Sequence, residues 1–209
     1  MTPTMTERKP SPREAVILVG HGGVPSDYPR EKVRRLMTLE SQRRPTGAPM
    51  GAEEAALDAE LRNHPRTPET DPYQAGIERL ARSLRATLGQ HLPGAALYVA
   101  YNEFCAPSVD DAVAQAVADG AEHVHIMSTM LTPGGSHAEE ELPELVTELQ
   151  AKFPQCTLTY AWPVDLDAFA GFLVQHLLQH RPLPSTAHTQ MERPSAQAEP
   201  ATPQPSPQA

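Results

Sequence analysis

The chain has 209 residues, 39% of them hydrophobic, with 23 prolines and a formal charge of −9; this suits one globular domain with a sizeable core. The negative balance argues against nucleic acid as a partner. No apolar stretch approaches the roughly 18 residues of a membrane span, and MTPTMTERKPSPRE lacks the apolar core of a secretory signal, so a cytoplasmic protein with no membrane partner is expected.

Residues 1–13 are polar and proline-bearing and predict a disordered tail. The domain then runs over 14–181. Ala15 to Val19 reads as a strand leading into GHGG, and Pro29 to Gln42 as a helix. The next segment, about 45–72, breaks the rhythm. Its five prolines (45, 49, 65, 68 and 72) flank a short helical EEAALDAELR, which predicts an insertion serving as a functional lid or a mobile segment. Tyr73 to Leu88 reads as helix, Ala96 to Tyr101 as strand and Val109 to Ala118 as helix, with Pro107-Ser108 as a start signal and Gly120 as a stop. His123 to Ser128 is predicted as strand, Glu140 to Lys152 as helix, Thr157 to Ala161 as strand and Asp165 to His180 as helix. From Pro182 onward the chain is a Pro-rich stretch with too few large apolar groups to offset ordering entropy, so 182–209 is expected to be a second disordered tail.

Short strands joined through amphipathic helices predict an α/β fold with a four-stranded parallel sheet flanked by helices, in the flavodoxin-like order 2-1-3-4. Ligands of such sheets sit beyond the carboxyl ends of the strands, where the order reverses. That crevice would receive His21 after the first strand, the loop Asn102-Glu103-Phe104 after the second, and His137 in LTPGGSHAEEELP after the third. Two imidazoles and a carboxylate are suitable ligands for Co²⁺, Fe²⁺, Ni²⁺ or Zn²⁺ and leave positions open for a reacting group. The same histidines can take up protons near neutral pH. GHGG is also readable as a phosphate-cradling loop at a helix start, although it lacks the spacing of the common nucleotide-binding motifs.

VILVGHGG, NEFCAPSV and STMLTPGGSHAEEELPEL, in that order, resemble the three signatures of the CbiX/SirB group of class II chelatases, which insert Co²⁺ or Fe²⁺ into sirohydrochlorin. The resemblance implies a single chelatase lobe in which His21 and His137 bind metal and accept protons. Glu103 falls on the acid of the x-E-x-x-x-P-S signature, as a further catalytic and metal-binding residue. Glu141 falls four residues after the histidine, where the group commonly has an acid, as another candidate ligand. It also implies a homodimer acting on sirohydrochlorin or a related tetrapyrrole in cobalamin or siroheme biosynthesis. No organic cofactor is implied, because the metal is a substrate. TPGGSH departs from the group's usual apolar residue before GGH, and the 45–72 segment is an addition.

Other residues read more plainly. Arg30, Lys32, Arg34, Arg35, Arg43 and Arg44 outnumber the acids of the first helix, which predicts a basic face; Arg30, Arg34 and Arg35 are its candidates for substrate carboxylates, against an ordinary solvated helix surface. His123 with His125, and His176 with His180, are expected to be structural. Cys105 and Cys156 are expected to be reduced packing residues. A non-catalytic metal carrier using the same two histidines, or a phosphate-binding module, are the rival readings.

Overall fold

The computed structural model describes residues 13–181; the two expected tails, apart from residue 13, lie outside the described residues. The chain divides into a first unit that runs to Val164 and a second that begins at Asp165. In the first unit four parallel strands follow one another across the sheet in the order β2-β1-β3-β4, as the strand and helix pattern predicts. They are β1 (Glu14–Gly20), β2 (Ala96–Tyr101), β3 (His123–Ser128) and β4 (Thr157–Tyr160).

Burial explains the composition of each strand. β1 is central, and six consecutive residues from Ala15 to Gly20 are buried, the continuous apolar run of a strand covered on both faces. β3 alternates instead: Val124, Ile126 and Ser128 are buried while His123, His125 and Met127 are only partly so, as the two-residue period of a strand requires. One face packs Ile17, Val19, Val124 and Ile126 against Val113 and Leu149. The other packs Leu18 and Tyr101 against Ile77, Ala81 and Cys105.

Helices α1 (Arg30–Arg43), α2 (Ala52–Arg62), α3 (Pro72–His91), α4 (Val109–Ala118) and α5 (Leu142–Lys152) complete the unit. Their starts follow local chemistry. Asp71 caps α3 by accepting the amide of Gln74, with Pro72 in the first turn. Ser108 and Asp111 form a reciprocal capping box that begins α4. A sixth helix, α6 (Leu166–Gln179), lies in the second unit and is capped by the Asp165 carboxylate at the amides of Asp167 and Ala168. On it the His176 ring stacks on Phe172 and meets His180 edge-on.

The 45–72 segment is a folded part of the first unit. Tyr28 and Leu36 are buried with Leu61 of α2, and Val33, Leu57 and Phe104 pack around them. Lys32 pairs with Glu60 at 2.5 Å and Arg43 with Glu54 at 2.8 Å. Arg35 grips both carboxylate oxygens of Glu53. The local excess of positive charge on α1 is thus largely met by acids of α2, which were read from sequence only as part of a short helix.

Candidate metal centre

The carboxyl ends of β1, β2 and β3 converge through main-chain hydrogen bonds. The amide of Asn102 donates to the Gly20 carbonyl at 2.9 Å and that of Glu103 to the His21 carbonyl at 2.8 Å, so the loop after β2 continues to pair with the loop after β1. The amide of Thr129 donates to Val19 and leads the chain away from β3. Gly22 is where the first two loops press together: its φ is +97°, and a Cβ there would overlap the Glu103 carbonyl oxygen. The glycine of GHGG therefore answers to a neighbouring loop as well as to its own left-handed backbone.

His137 arrives differently. It opens a π-helical turn, His137–Glu141, that runs directly into α5. The amide of Leu142 donates back to the His137 carbonyl, five residues away, as a π turn requires. Pro143 follows and has no amide to offer the next carbonyl. The Ala138 carbonyl instead accepts from the Tyr160 hydroxyl at 3.0 Å.

These elements bring His21, Glu103 and His137 together, each half-buried, with one ligand atom from each lying within 4.8 Å of the others. The His21 Nε2 lies 3.8 Å from one Glu103 oxygen and the His137 Nε2 lies 3.9 Å from the other. The two imidazoles meet edge to face at a centroid separation of 4.9 Å. Such gaps are too long for hydrogen bonds and shorter than twice a metal–nitrogen distance of about 2.1 Å. An ion held between these atoms would bond to each without large movement.

Both imidazoles are oriented from behind. The His21 Nδ1 lies 2.9 Å from the Gly22 carbonyl, and the His137 Nδ1 lies 2.9 Å from Glu141 Oε2. With each Nδ1–H donated to those acceptors, each Nε2 keeps its lone pair for the centre, the arrangement by which outer groups fix a metal-binding histidine. The main-chain amide of His21 donates to the Tyr73 hydroxyl at 2.8 Å.

Glu141 was expected as a further ligand, but it stands outside the trio. Its carboxylate accepts from His137 and, at 3.4 Å, from the side-chain amide of Asn102, and it pairs with Arg44 at 2.7 Å. Burial alone would raise its carboxyl; the hydrogen bonds from His137 and the Asn102 side chain and the charge of Arg44 outweigh that and hold it below the usual carboxylate range. Arg44 also lies 3.2 Å from Glu40 and 3.9 Å from Glu103. The basic side chain that reaches the centre is therefore Arg44, just past the end of α1. Arg35 turns to Glu53, and Arg30 and Arg34 are exposed on the helix.

Hollows open on both sides of His137. One, of about 330 Å³, is lined by His21, Met130, Leu131 and Ala138; the other, of about 480 Å³, by Met37, Glu40, Arg44 and Glu103. Among the described residues no helix is long and apolar enough to cross a membrane. Arg44 was visible from sequence only as one of several basic residues and Asn102 only as a member of the loop that carries Glu103; nothing local marks Tyr73.

The profile of the family described as CbiX matches residues 70–181, more than half of the chain. The matched span includes Glu103 and His137; His21 joins them through the geometry of β1. Comparison with curated proteins finds no match. Among solved structures, a cobalamin (vitamin B12) biosynthesis CbiX protein from Marinobacter aquaeolei VT8 is similar at 20% identity and a TM-score of 0.40, over 80% of this chain and 95% of that one. SirB from Bacillus subtilis with Fe³⁺ is similar at 15% identity and a TM-score of 0.47, over 82% of this chain and 48% of that one. The sirohydrochlorin chelatase SirB from Bacillus subtilis subspecies spizizenii, in complex with cobalt, is similar at 14% identity and a TM-score of 0.41, over 80% and 50%. The chain thus spans about half the length of the two Bacillus proteins.

Proposed function

The chain belongs to the CbiX family, and from that premise we propose that it inserts Co²⁺ or Fe²⁺ into sirohydrochlorin or a closely related tetrapyrrole. The observation that carries this reading is the open trio: two Nε2 atoms and a carboxylate at ion-spanning distances, each imidazole held from its other nitrogen. Three protein ligands leave room for the macrocycle's own nitrogens to take over the metal. As the metal passes to the ring, two pyrrole N–H protons must leave. Each Nε2 that releases the ion has a free lone pair with which to accept one of them, so His21 and His137 act both as ligands and as bases. Glu103 balances part of the charge throughout.

The hollows support a ring-shaped substrate. Met130 and Leu131 offer apolar contact to its flat surface, and Arg44 offers charge to its carboxylate rim. Arg30 and Arg34, exposed on α1, remain candidates for more distant carboxylates, whereas Arg35 would first have to leave Glu53. A homodimer in the cytoplasm is the setting we propose for this activity.

The test is anaerobic incubation with sirohydrochlorin and Co²⁺ or Fe²⁺, followed by visible absorption. His21→Ala and His137→Ala should each lower the insertion rate by about 10²-fold or more, with the double variant little worse than either. Glu103→Gln should lose less. Parent protein that binds Co²⁺ and leaves the tetrapyrrole spectrum unchanged would be a carrier. The phosphate-binding alternative finds less support, since the His21 amide is taken by Tyr73 and the Glu103 carboxylate faces the same opening.

A further inference from the structure

The loop that carries Glu103 has an unusual backbone. Phe104 is the one non-glycine residue with positive φ among the described residues, at 59°, a left-handed conformation that a phenylalanine rarely adopts. Within the loop the Glu103 carbonyl accepts the Cys105 amide at 2.7 Å, which leaves those of Asn102, Phe104 and Cys105 to be met from outside it. Their partners come from the 45–72 segment.

Two arginines at the end of that segment supply them. Arg62 donates through Nη1 to the Cys105 carbonyl and through Nη2 to the Asn102 carbonyl, both at 3.2 Å, while its Nε is held by Asp58 at 2.8 Å. The Arg62 carbonyl in turn accepts the Ala106 amide at 3.1 Å. Arg66 is only 4% exposed and is paired with Asp71, itself 2% exposed. Its Nη2 donates to the Phe104 carbonyl and, at 3.2 Å, to that of Leu61; its Nη1 donates to the Gly23 carbonyl at 2.7 Å. One buried guanidinium thus joins the loop after His21, the loop around Glu103, the end of α2 and the cap of α3. A planar fork of five donors can do this, and a lysine ammonium cannot.

We propose that Arg62 and Arg66 are positioning residues for the metal centre, and that the 45–72 segment serves as a brace which fixes Glu103 against His21 in place of a lid that opens and closes. The brace is folded and ion-paired to α1, and it ends in two cations whose donors point at the main chain of the ligand-bearing loops. The Gly22 contact with the Glu103 carbonyl transmits the constraint between those loops. This rests on the reading of Glu103 as a metal ligand.

Two measurements on the full chain separate the brace from that reading. Arg62→Lys and Arg66→Lys keep the charge and lose the fork; Arg62→Lys is the milder change because Arg62 is less buried. In metal-free protein, amide hydrogen exchange at 102–106 should accelerate at least tenfold in Arg62→Lys while the β1 amides stay as protected as in the parent. Co²⁺ binding, followed by its visible absorption, should weaken at least tenfold in Arg62→Lys and show no further weakening when Arg62→Lys is added to Glu103→Gln. Unchanged exchange at 102–106 overturns the brace. Equal loss of Co²⁺ affinity with and without the Glu103 carboxylate also overturns it, because the arginines would then act on folding at large. Parent protein that takes up no Co²⁺ would overturn the metal reading itself, with the exchange result still deciding whether the segment braces the loop.

Discussion

Replacing Gly22 by alanine tests the packing on which the centre depends. The substitution places a methyl group where it overlaps the Glu103 carbonyl oxygen and lies 3.0 Å from the carbonyl carbon, at a residue with φ of +97°. The left-handed backbone costs alanine about 1–2 kcal/mol, which in a domain of this size lowers Tm by roughly 2–8 °C. The overlap has the larger consequence. Restoring ordinary van der Waals separation moves the Glu103 main chain by about 1 Å or more, outside the roughly 0.5 Å within which a metal site works. Displacement on that scale is worth about 10²-fold in rate. The assay is cobalt insertion, accompanied by Co²⁺ titration and a thermal melt. Gly23→Ala is the control, because its Cβ would rest 3.5 Å from Asp71 and 3.6 Å from Tyr73, ordinary contact distances. Gly22→Ala protein that melts a few degrees lower yet inserts cobalt at the parent rate would refute the argument, as would equal damage from Gly23→Ala.

Two further outcomes are expected. The Glu141 carboxyl is held below its ordinary value in the folded chain, so its ionised form stabilises the fold above the unfolded value of about 4.3, and that contribution disappears as pH falls through the lower folded value. The Tm difference between parent and Glu141→Gln should therefore be largest near neutrality and close below about pH 4; a difference that widens on acidification would contradict the assigned pairing. Burial pushes the Cys105 thiol up to about 11 and raises that of Cys156 as well. A thiol reagent at pH 8 should leave both unlabelled until the chain is denatured, and rapid labelling of native protein would show that these side chains are not packed as described.

The sheet was legible because its physics is local. A short, β-branched apolar run ending in glycines suits a strand buried on both faces, as β1 is, and the alternation of HVHIMS states which residues of β3 face the core. The strand order 2-1-3-4 then sends His21, the Glu103 loop and His137 to one crevice. The parts that escaped are those with partners far along the chain. Arg66 and Asp71 stand in a proline-rich stretch that reads as loop, and only folding shows that they are buried against residues 23 and 104. Glu141 sits in a run of three acids at a helix start, where the helix dipole favours any of them; its pairing with His137, Asn102 and Arg44 is what singles it out. The basic face of α1 read as more positive than it is because its partner acids lie on another helix: Glu53, Glu54 and Glu60 of α2 pair with Arg35, Arg43 and Lys32.

The π turn makes the address of the site a matter of chain length. Each residue of an α-helix turns its neighbours by about 100°, and the turn from His137 to Glu141 holds one residue more per hydrogen-bonded loop than an α-helix does. Leu142 and Leu149 are buried in the core and hold α5 in fixed rotation about its axis. Were the same residues to tighten to α geometry with that core intact, each would turn the chain by the full 100° and the extra residue would no longer be absorbed. His137 would then swing about the axis by close to a quarter turn and leave Glu103 behind. The direction in which the His137 imidazole points is thus stored in the one extra residue of that turn.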